Sequence, residues 1–295
     1  MELTLKHGQW TAVADTLGGE LVSLRDGQGT EYIWGGDVAY WSGRNPVLFP
    51  IVGGLKDGRV NIGGRPYEMA RHGFARRSEF VVAAQGTDFV EFELRERMDT
   101  LRQYPFFFSL RVRHQLTDGG FATSFTVTNP GSVDLPFCIG AHTAFRCPLE
   151  SGERFEDYRL VFDQVEDAAS ILPGEGGCLR RDAAGPRLEH TDTIALSHAV
   201  FDAVDTLIYE GLRSKTVALR HKDTGRGVRV DFSQFPMVAF WTVPGKQAPY
   251  ICIEPWQGCA AFADESGRFE DKPHCLTLAP GESKSLRYTV TLLGE

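Results

Sequence analysis

Polar and apolar residues alternate with a period of two along much of this chain, and helical spacing is rare. In residues 108–116, Phe108, Leu110, Val112 and Leu116 share one face, while Ser109, Arg111, Arg113 and Gln115 share the other. Asp118-Gly119-Gly120 supplies a turn, after which Phe121, Thr123, Phe125 and Val127 resume the alternation. The pattern predicts a β hairpin with its turn chemistry in place. Two further hairpins are predicted, 80–84 with 89–94 and 217–221 with 228–232, and 285–293 reads as an edge or closing strand. Residues 197–204 are the main stretch with two turns of helical spacing, and 173–177 and 182–187 read as loops. Short strands with regular turns predict an all-β fold, a large antiparallel β sandwich with few short helices. No linker divides the chain into compositional halves, so residues 1–295 are expected to form one domain.

Composition agrees with that class. The 295 residues include 32 glycines, above the usual ~7%, with 20 phenylalanines and only 4 methionines. This mixture suits strands and tight turns. There are 31 basic and 39 acidic residues, for a net charge of −8, and no basic block, which argues against a nucleic-acid partner. No apolar run approaches the length of a membrane span, and the first residues, MELTLKHGQW, lack a basic and an apolar region. The six cysteines form no CxxC pair, and the expectation is reduced thiols in a cytoplasmic protein, mostly core fillers, with no zinc site.

Three segments place polar residues in apolar or glycine-rich surroundings: Arg71-His72-Gly73-Phe74-Ala75-Arg76, Ile139-Gly140-Ala141-His142 and Ile251-Cys252-Ile253-Glu254-Pro255-Trp256. Glu254 reads as the end of a buried strand, where a carboxylate is costly unless paired or open to a cleft. His142 follows small residues that allow close approach of a ligand, and His72 reads as a loop histidine between two arginines. Two histidines and one carboxylate suit a 2-His-1-carboxylate metal site, general acid–base catalysis, or binding alone. HExxH, GxSxG, P-loop and dinucleotide motifs are absent. Trp34, Trp41, Trp241 and Trp256 lie near these segments, and an aromatic face beside polar groups is a platform for a sugar ring.

Taken in order, these segments resemble the aldose 1-epimerases, or galactose mutarotases, in their shorter bacterial branch. The resemblance runs from Asn45-Pro46-Val47-Leu48-Phe49-Pro50-Ile51-Val52-Gly53 through His72-Gly73-Phe74-Ala75-Arg76, Gly140-Ala141-His142 and Ile253-Glu254-Pro255-Trp256 to Phe269-Glu270-Asp271-Lys272 and Leu278-Ala279-Pro280-Gly281-Glu282-Ser283. It implies a β supersandwich that interconverts the α and β anomers of a free aldohexose such as glucose or galactose, with no cofactor. It also implies roles: Glu254 as the base at the C1 hydroxyl, His142 as the acid at the ring oxygen, and His72 as a substrate-holding group beside them. Asp205, with Asp202 as the competing choice, matches a sugar-hydroxyl position, and Trp241 is a candidate platform.

One position departs from the family pattern. Gly54 stands where an arginine usually follows Val-Gly, and Arg44, Lys56, Arg59, Arg71 and Arg76 are the candidates to replace it, Arg76 first. Alternative readings are a hexose-6-phosphate 1-epimerase, with Arg71, Arg76 and Arg77 over the phosphate, and a non-catalytic carbohydrate-binding or regulatory protein. The expected partner is a small sugar, with no membrane, and the expected assembly is a monomer or homodimer.

Overall fold

A computed structural model describes residues 1–294 of the 295 in the chain. An antiparallel sheet of 15 strands carries most of the fold. Its path runs from Val47–Leu48 through Ile139–Ala141, Tyr250–Gln257, Met237–Trp241 and Thr206–Glu210 to Tyr158–Pro173. It continues through Thr216–His221, Gly227–Asp231, Ser283–Leu293, Gly120–Thr128, Ser109–Thr117 and Phe89–Arg95 to Val81–Gln85. A twisted sheet of this extent cannot stay flat, and it curls until its limbs face each other. Phe49, at one end of the path, packs its ring 5.2 Å from that of Phe108, near the other end. Thr143 Oγ1 donates to Asn45 Oδ1 at 2.7 Å and lies 3.2 Å from the Tyr288 hydroxyl, which ties the limbs together by a buried polar contact.

The alternation seen in the sequence is the reason for this layering. Ser109–Thr117 buries Leu110, Val112, His114 and Leu116 and turns Arg111 outward. Its partner Gly120–Thr128 pairs Phe121 with Leu116 and Phe125 with Val112. The other two predicted hairpins form as Val81–Gln85 with Phe89–Arg95 and as Thr216–His221 with Gly227–Asp231. The predicted helix is His198–Val204, and the only other α-helix among the described residues is Met98–Leu101. Among the described residues, no helix is long and apolar enough to cross a membrane.

Two expectations need correction. Residues 182–187 are not a loop but part of Leu179–Ala195, which pairs with Tyr158–Pro173 through several register shifts. Gly185-Pro186 gave the stretch a loop-like composition, and the irregular pairing absorbs it. Glu175–Gly177 closes this long hairpin as a 3-10 turn. Glu254 is not at a strand end either. Tyr250–Gln257 runs past it and is buried throughout, because neighbouring strands flank it and both of its faces are covered.

The segment before Ala75 is held by a backbone constraint. Gly73 has φ +71°, and a Cβ there would lie 2.1 Å from the Phe49 carbonyl oxygen. Gly73→Ala is therefore expected to lower unfolding stability by about 2 kcal/mol or more. Denaturant titration checks this, and a loss below about 0.5 kcal/mol would show that the contact relaxes freely.

Candidate active site

Strand register brings the central pair together. Ile139–Ala141 and Thr143–Arg146 both pair with Tyr250–Gln257, in one continuous register that matches Gly140 with Trp256 and Thr143 with Ile253. The same register sets His142, at the break between the two short strands, directly across from Glu254. Opposed side chains in an antiparallel pair are close neighbours. His142 Nε2 lies 3.3 Å from Glu254 Oε2, which also accepts the Trp256 indole N–H at 3.2 Å. Glu254 is 1% exposed and His142 6%. His142 Nδ1 is buried without a hydrogen-bond partner.

His72 reaches the pair from another loop, with its ring centroid 5.5 Å from that of His142. It is a buried residue, not the exposed loop histidine its sequence context suggests, because two hydrogen bonds fix it to Gly53. The His72 N–H donates to the Gly53 carbonyl at 2.8 Å, and the Gly53 N–H donates to His72 Nδ1 at 3.1 Å. A ring nitrogen that accepts carries no proton, so in neutral His72 the proton sits on Nε2. His72 also adopts φ +67°, a costly conformation for a non-glycine residue and one that clusters at functional sites.

These groups line a cleft of about 290 Å³. Trp41 packs against the His142 ring at 4.8 Å and 31°, and Trp241 meets it edge-on at 5.6 Å and 80°. Both indoles are partly exposed and form the aromatic wall. Asp205 follows helix His198–Val204 with φ +62° and accepts from the Trp241 indole N–H at 3.4 Å and from Thr206 Oγ1 at 2.9 Å. Asp202, the competing choice, accepts from the Gly245 N–H and lines a different hollow, so Asp205 is the cleft residue.

Arg71 and Arg76 line the cleft, and the remaining cationic candidates, Arg44, Lys56 and Arg59, do not. Arg44 donates to Gly35, Lys56 to Ala263, and Arg59 pairs with Glu68. Arg77 is exposed and outside the lining, so the three-arginine cluster reduces to two. The 2-His-1-carboxylate arrangement is not formed. The ligand-type atoms that converge within 4.8 Å belong to His142, Cys252 and Glu254, while His72 Nδ1 is taken by Gly53. Cys252 stands two positions before Glu254 on the same strand face, a period-two signal visible in the sequence that the reading passed over. Cys252 does not line the cleft; among the residues that do, the Gly177 turn, Ile208, Leu179 and Val243 were not singled out by sequence reasoning.

Burial sets the protonation of the site. It pushes the Glu254 carboxyl well above the ordinary carboxylate range. It lowers His142 to about 3, with the positive field of Arg76 adding to the effect. His72 is likewise held well below the usual imidazole value by burial, then by His142 and Arg76. Charged forms are disfavoured without water, so the resting pair is a protonated Glu254 against a neutral His142, with one proton shared between two groups.

A family model described as Aldose 1-epimerase matches residues 1–291. The chain belongs to the aldose 1-epimerase family. Protein LacX of Lactococcus lactis subsp. lactis, in a plasmid form, is 36% identical, with 99% of this chain and 100% of that protein covered. Among solved structures, a galactose mutarotase related enzyme from Lactobacillus acidophilus superposes with a TM-score of 0.94 at 30% identity, covering 100% of this chain and 98% of that one. A galactose mutarotase-like protein from Lactobacillus casei gives 0.91 at 29% identity, covering 99% and 100%. The galactose mutarotase-like fold is the one that the resemblance implied, and its all-β class is the one that the alternation of residues predicted. Gly54, where the resemblance leads one to expect an arginine, lies in the cleft wall beside the Gly177 turn.

The shifted groups make stability depend on pH. The unfolded Glu254 ionises near its ordinary 4.5, while the native carboxyl keeps its proton to higher pH. Its contribution to stability is therefore lost as pH rises from about 4.5 toward the folded value. The histidines act in the opposite sense: below about 6.5 the unfolded imidazoles take protons that the native ones refuse, so acid removes stability. The stability of wild type minus that of Glu254→Gln is expected to fall with rising pH, by up to about 1.4 kcal/mol per unit. Denaturant unfolding across pH 5–8 measures it, and a difference that does not change with pH would refute the raised carboxyl.

Proposed function

We propose that this protein is a mutarotase, an isomerase that interconverts the α and β anomers of an aldohexose such as glucose or galactose by general acid–base ring opening. The observation that carries this reading is the 3.3 Å spacing of Glu254 and His142 in a sugar-sized cleft walled by indoles. The two oxygens that exchange protons during anomerisation, O1 and the ring O5, are bonded to the same carbon. An acid and a base serving them must sit side by side, and a buried cross-strand pair meets that requirement.

The steps follow from proton balance. With Glu254 ionised and His142 protonated, the carboxylate takes the O1 proton, the C1–O1 bond becomes a carbonyl, and the C1–O5 bond breaks. The departing O5 takes the His142 proton. The enzyme is left as protonated Glu254 and neutral His142, while the open-chain aldehyde turns about C1–C2. O5 then attacks the other face of C1, returns its proton to His142, and O1 recovers one from Glu254. Every atom and proton is accounted for, and no covalent enzyme intermediate forms. The free site rests in the protonation state that closes rings, and transfer of one proton from Glu254 to His142 across 3.3 Å readies it to open them. In this reading His72, with its Nε2–H as donor, holds the ring oxygen region, and Asp205 accepts from sugar hydroxyls, roles supported by their positions on the cleft. The indole of Trp41 or Trp241 carries the C–H face of the pyranose.

Glu254→Gln and His142→Asn are each expected to slow anomer exchange of α-glucose or α-galactose by about 10²-fold or more, since each removes one proton-transfer group. Polarimetry reads the rate. A wild-type protein that leaves every aldose at the buffer rate would sink the reading, as would variants that retain wild-type rates.

A further inference from the structure

Glu254 and His142 share the floor of the site with a third ligand-type group, one that the proposed reaction does not use. Cys252 lies two positions before Glu254 on the same face of Tyr250–Gln257. The register of Thr143–Arg146 sets Ala144 across from Cys252, which places the thiol diagonally from His142. The Cys252 sulfur, a ring nitrogen of His142 and a carboxyl oxygen of Glu254 all lie within 4.8 Å of one another, and all three residues are buried. Among the described residues this is the one such convergence of three groups, and none of the other five cysteines joins it.

Donor set, surroundings and support each suit a metal ion. Zinc takes thiolate at about 2.3 Å and imidazole or carboxylate at about 2.0–2.2 Å, so donors this close reach one ion after shifts of less than about 1 Å. A thiolate and a carboxylate together cancel the charge of a divalent cation, in a place where an uncompensated charge is costly. That balance matters because Arg71 and Arg76 line the same cleft and repel a cation held by neutral ligands alone. Neither nitrogen of His142 is committed elsewhere, since Nε2 faces Glu254 and Nδ1 is buried without a partner. The residues that flank the ligands across the ladder are small: Ala144 opposes Cys252 and Ala239 opposes Glu254. The Trp256 indole N–H on Glu254 Oε2 supplies the outer hydrogen bond that ligating carboxylates usually have. His142 and Glu254 line the cleft, which gives an ion its way in and leaves its fourth position to water.

We infer that Cys252, His142 and Glu254 form a binding site for a thiophilic divalent cation, zinc first, and that an ion held there blocks proton exchange at the reaction centre. On binding, the thiol and the carboxyl each release a proton to solvent, and the ion replaces the proton that Glu254 and His142 share. The imidazole and the carboxylate then serve the metal and no longer O1 and O5. Thiolate and imidazole select zinc over magnesium and calcium, which prefer oxygen ligands. The binding site stands on the geometry, and its effect on turnover rests on the mutarotase reading.

The test uses the full chain, stripped of metal by a chelator that is then removed. Cobalt(II), which reports thiolate ligation by a near-ultraviolet charge-transfer band, is titrated into wild type, Cys252→Ala, Cys252→Ser and Cys275→Ala. The band is expected in wild type and Cys275→Ala, saturating at one cobalt per chain, and in neither Cys252 variant. Zinc is expected to slow anomer exchange of glucose or galactose by wild type, with magnesium inert and the rate restored by chelator. Cys252→Ala is expected to keep the metal-free rate while its half-inhibiting zinc concentration rises at least about tenfold, since even an outer partner of a metal ligand is worth about 10–100-fold in affinity. Cys252→Ser, closer in shape, gives the same readings if the alanine variant does not fold. A wild type without the band, or a band that survives in a folded Cys252 variant, would overturn the site. Zinc that inhibits the Cys252 variants as strongly as wild type, or that accelerates wild type, would overturn the block. If no aldose is turned over with or without metal, the mutarotase reading has failed, and the cobalt titration still decides the site.

Discussion

A carboxyl group and an imidazole held 3.3 Å apart, away from water, are the constraint around which this structure is arranged. Neither group tolerates a bare charge in that environment, and together they resolve the conflict by sharing one proton. The arrangement gives a pair that changes role by moving that proton, which is what a reaction with two symmetric half-steps needs. It also explains why the site sits in the interior of a sheet and not on surface loops. Water would release both groups from each other and return their pKa values to those of ordinary side chains.

The sheet supplies the rigidity that such a pair demands. Glu254 is in a strand paired on both edges, and His142 falls at a break between two short strands that keep the same register against it. Only the break frees His142 from the ladder, while the register on either side fixes its position. His72 and Asp205 are added at a different cost, since both hold backbone conformations with positive φ. Gly53 secures the first through its hydrogen bonds to His72, and Thr206 and Trp241 secure the second. Strain at these two points and order in the strands behind them serve the same end, keeping polar groups aimed into a cleft that would otherwise collapse on its aromatic wall.

Much of this architecture was legible in the sequence. Period-two alternation gave the hairpins at 109–128 and 216–231 because one face of each is buried and the other is wet. It failed for Leu179–Ala195, where polar residues and Gly185-Pro186 hide a strand whose partners compensate for its irregular pairing. It also misplaced the end of the Glu254 strand, because a strand covered on both faces shows no alternation and Pro255 reads as a stop. His72, His142 and Glu254 were recognisable from their glycine-rich or apolar neighbours and from the family resemblance. Their opposition across a ladder was not, since register is set by partners more than 100 residues away. Asp205 could not be separated from Asp202 on one helical turn until the end of the helix turned one of them into the cleft.

Gly54 shows how a departure from a family pattern is read correctly only in three dimensions. In sequence it looks like the loss of a guanidinium, which puts sugar specificity in doubt more than catalysis and is the one feature on the side of the non-catalytic alternative. In the fold, the position faces the Gly177 turn, and the Arg71 guanidinium from the neighbouring loop crosses that same turn. The cation is attached elsewhere but reaches the same wall, and the missing side chain leaves an amide and open space beside it. A site that had lost its function would have no reason to keep a desolvated acid–base pair, which destabilises the fold unless something is gained by it. That pair, beside a guanidinium that reaches the same wall from the neighbouring loop, argues that Gly54 alters how the cleft holds its ligand and leaves the proton-transfer pair at its centre intact.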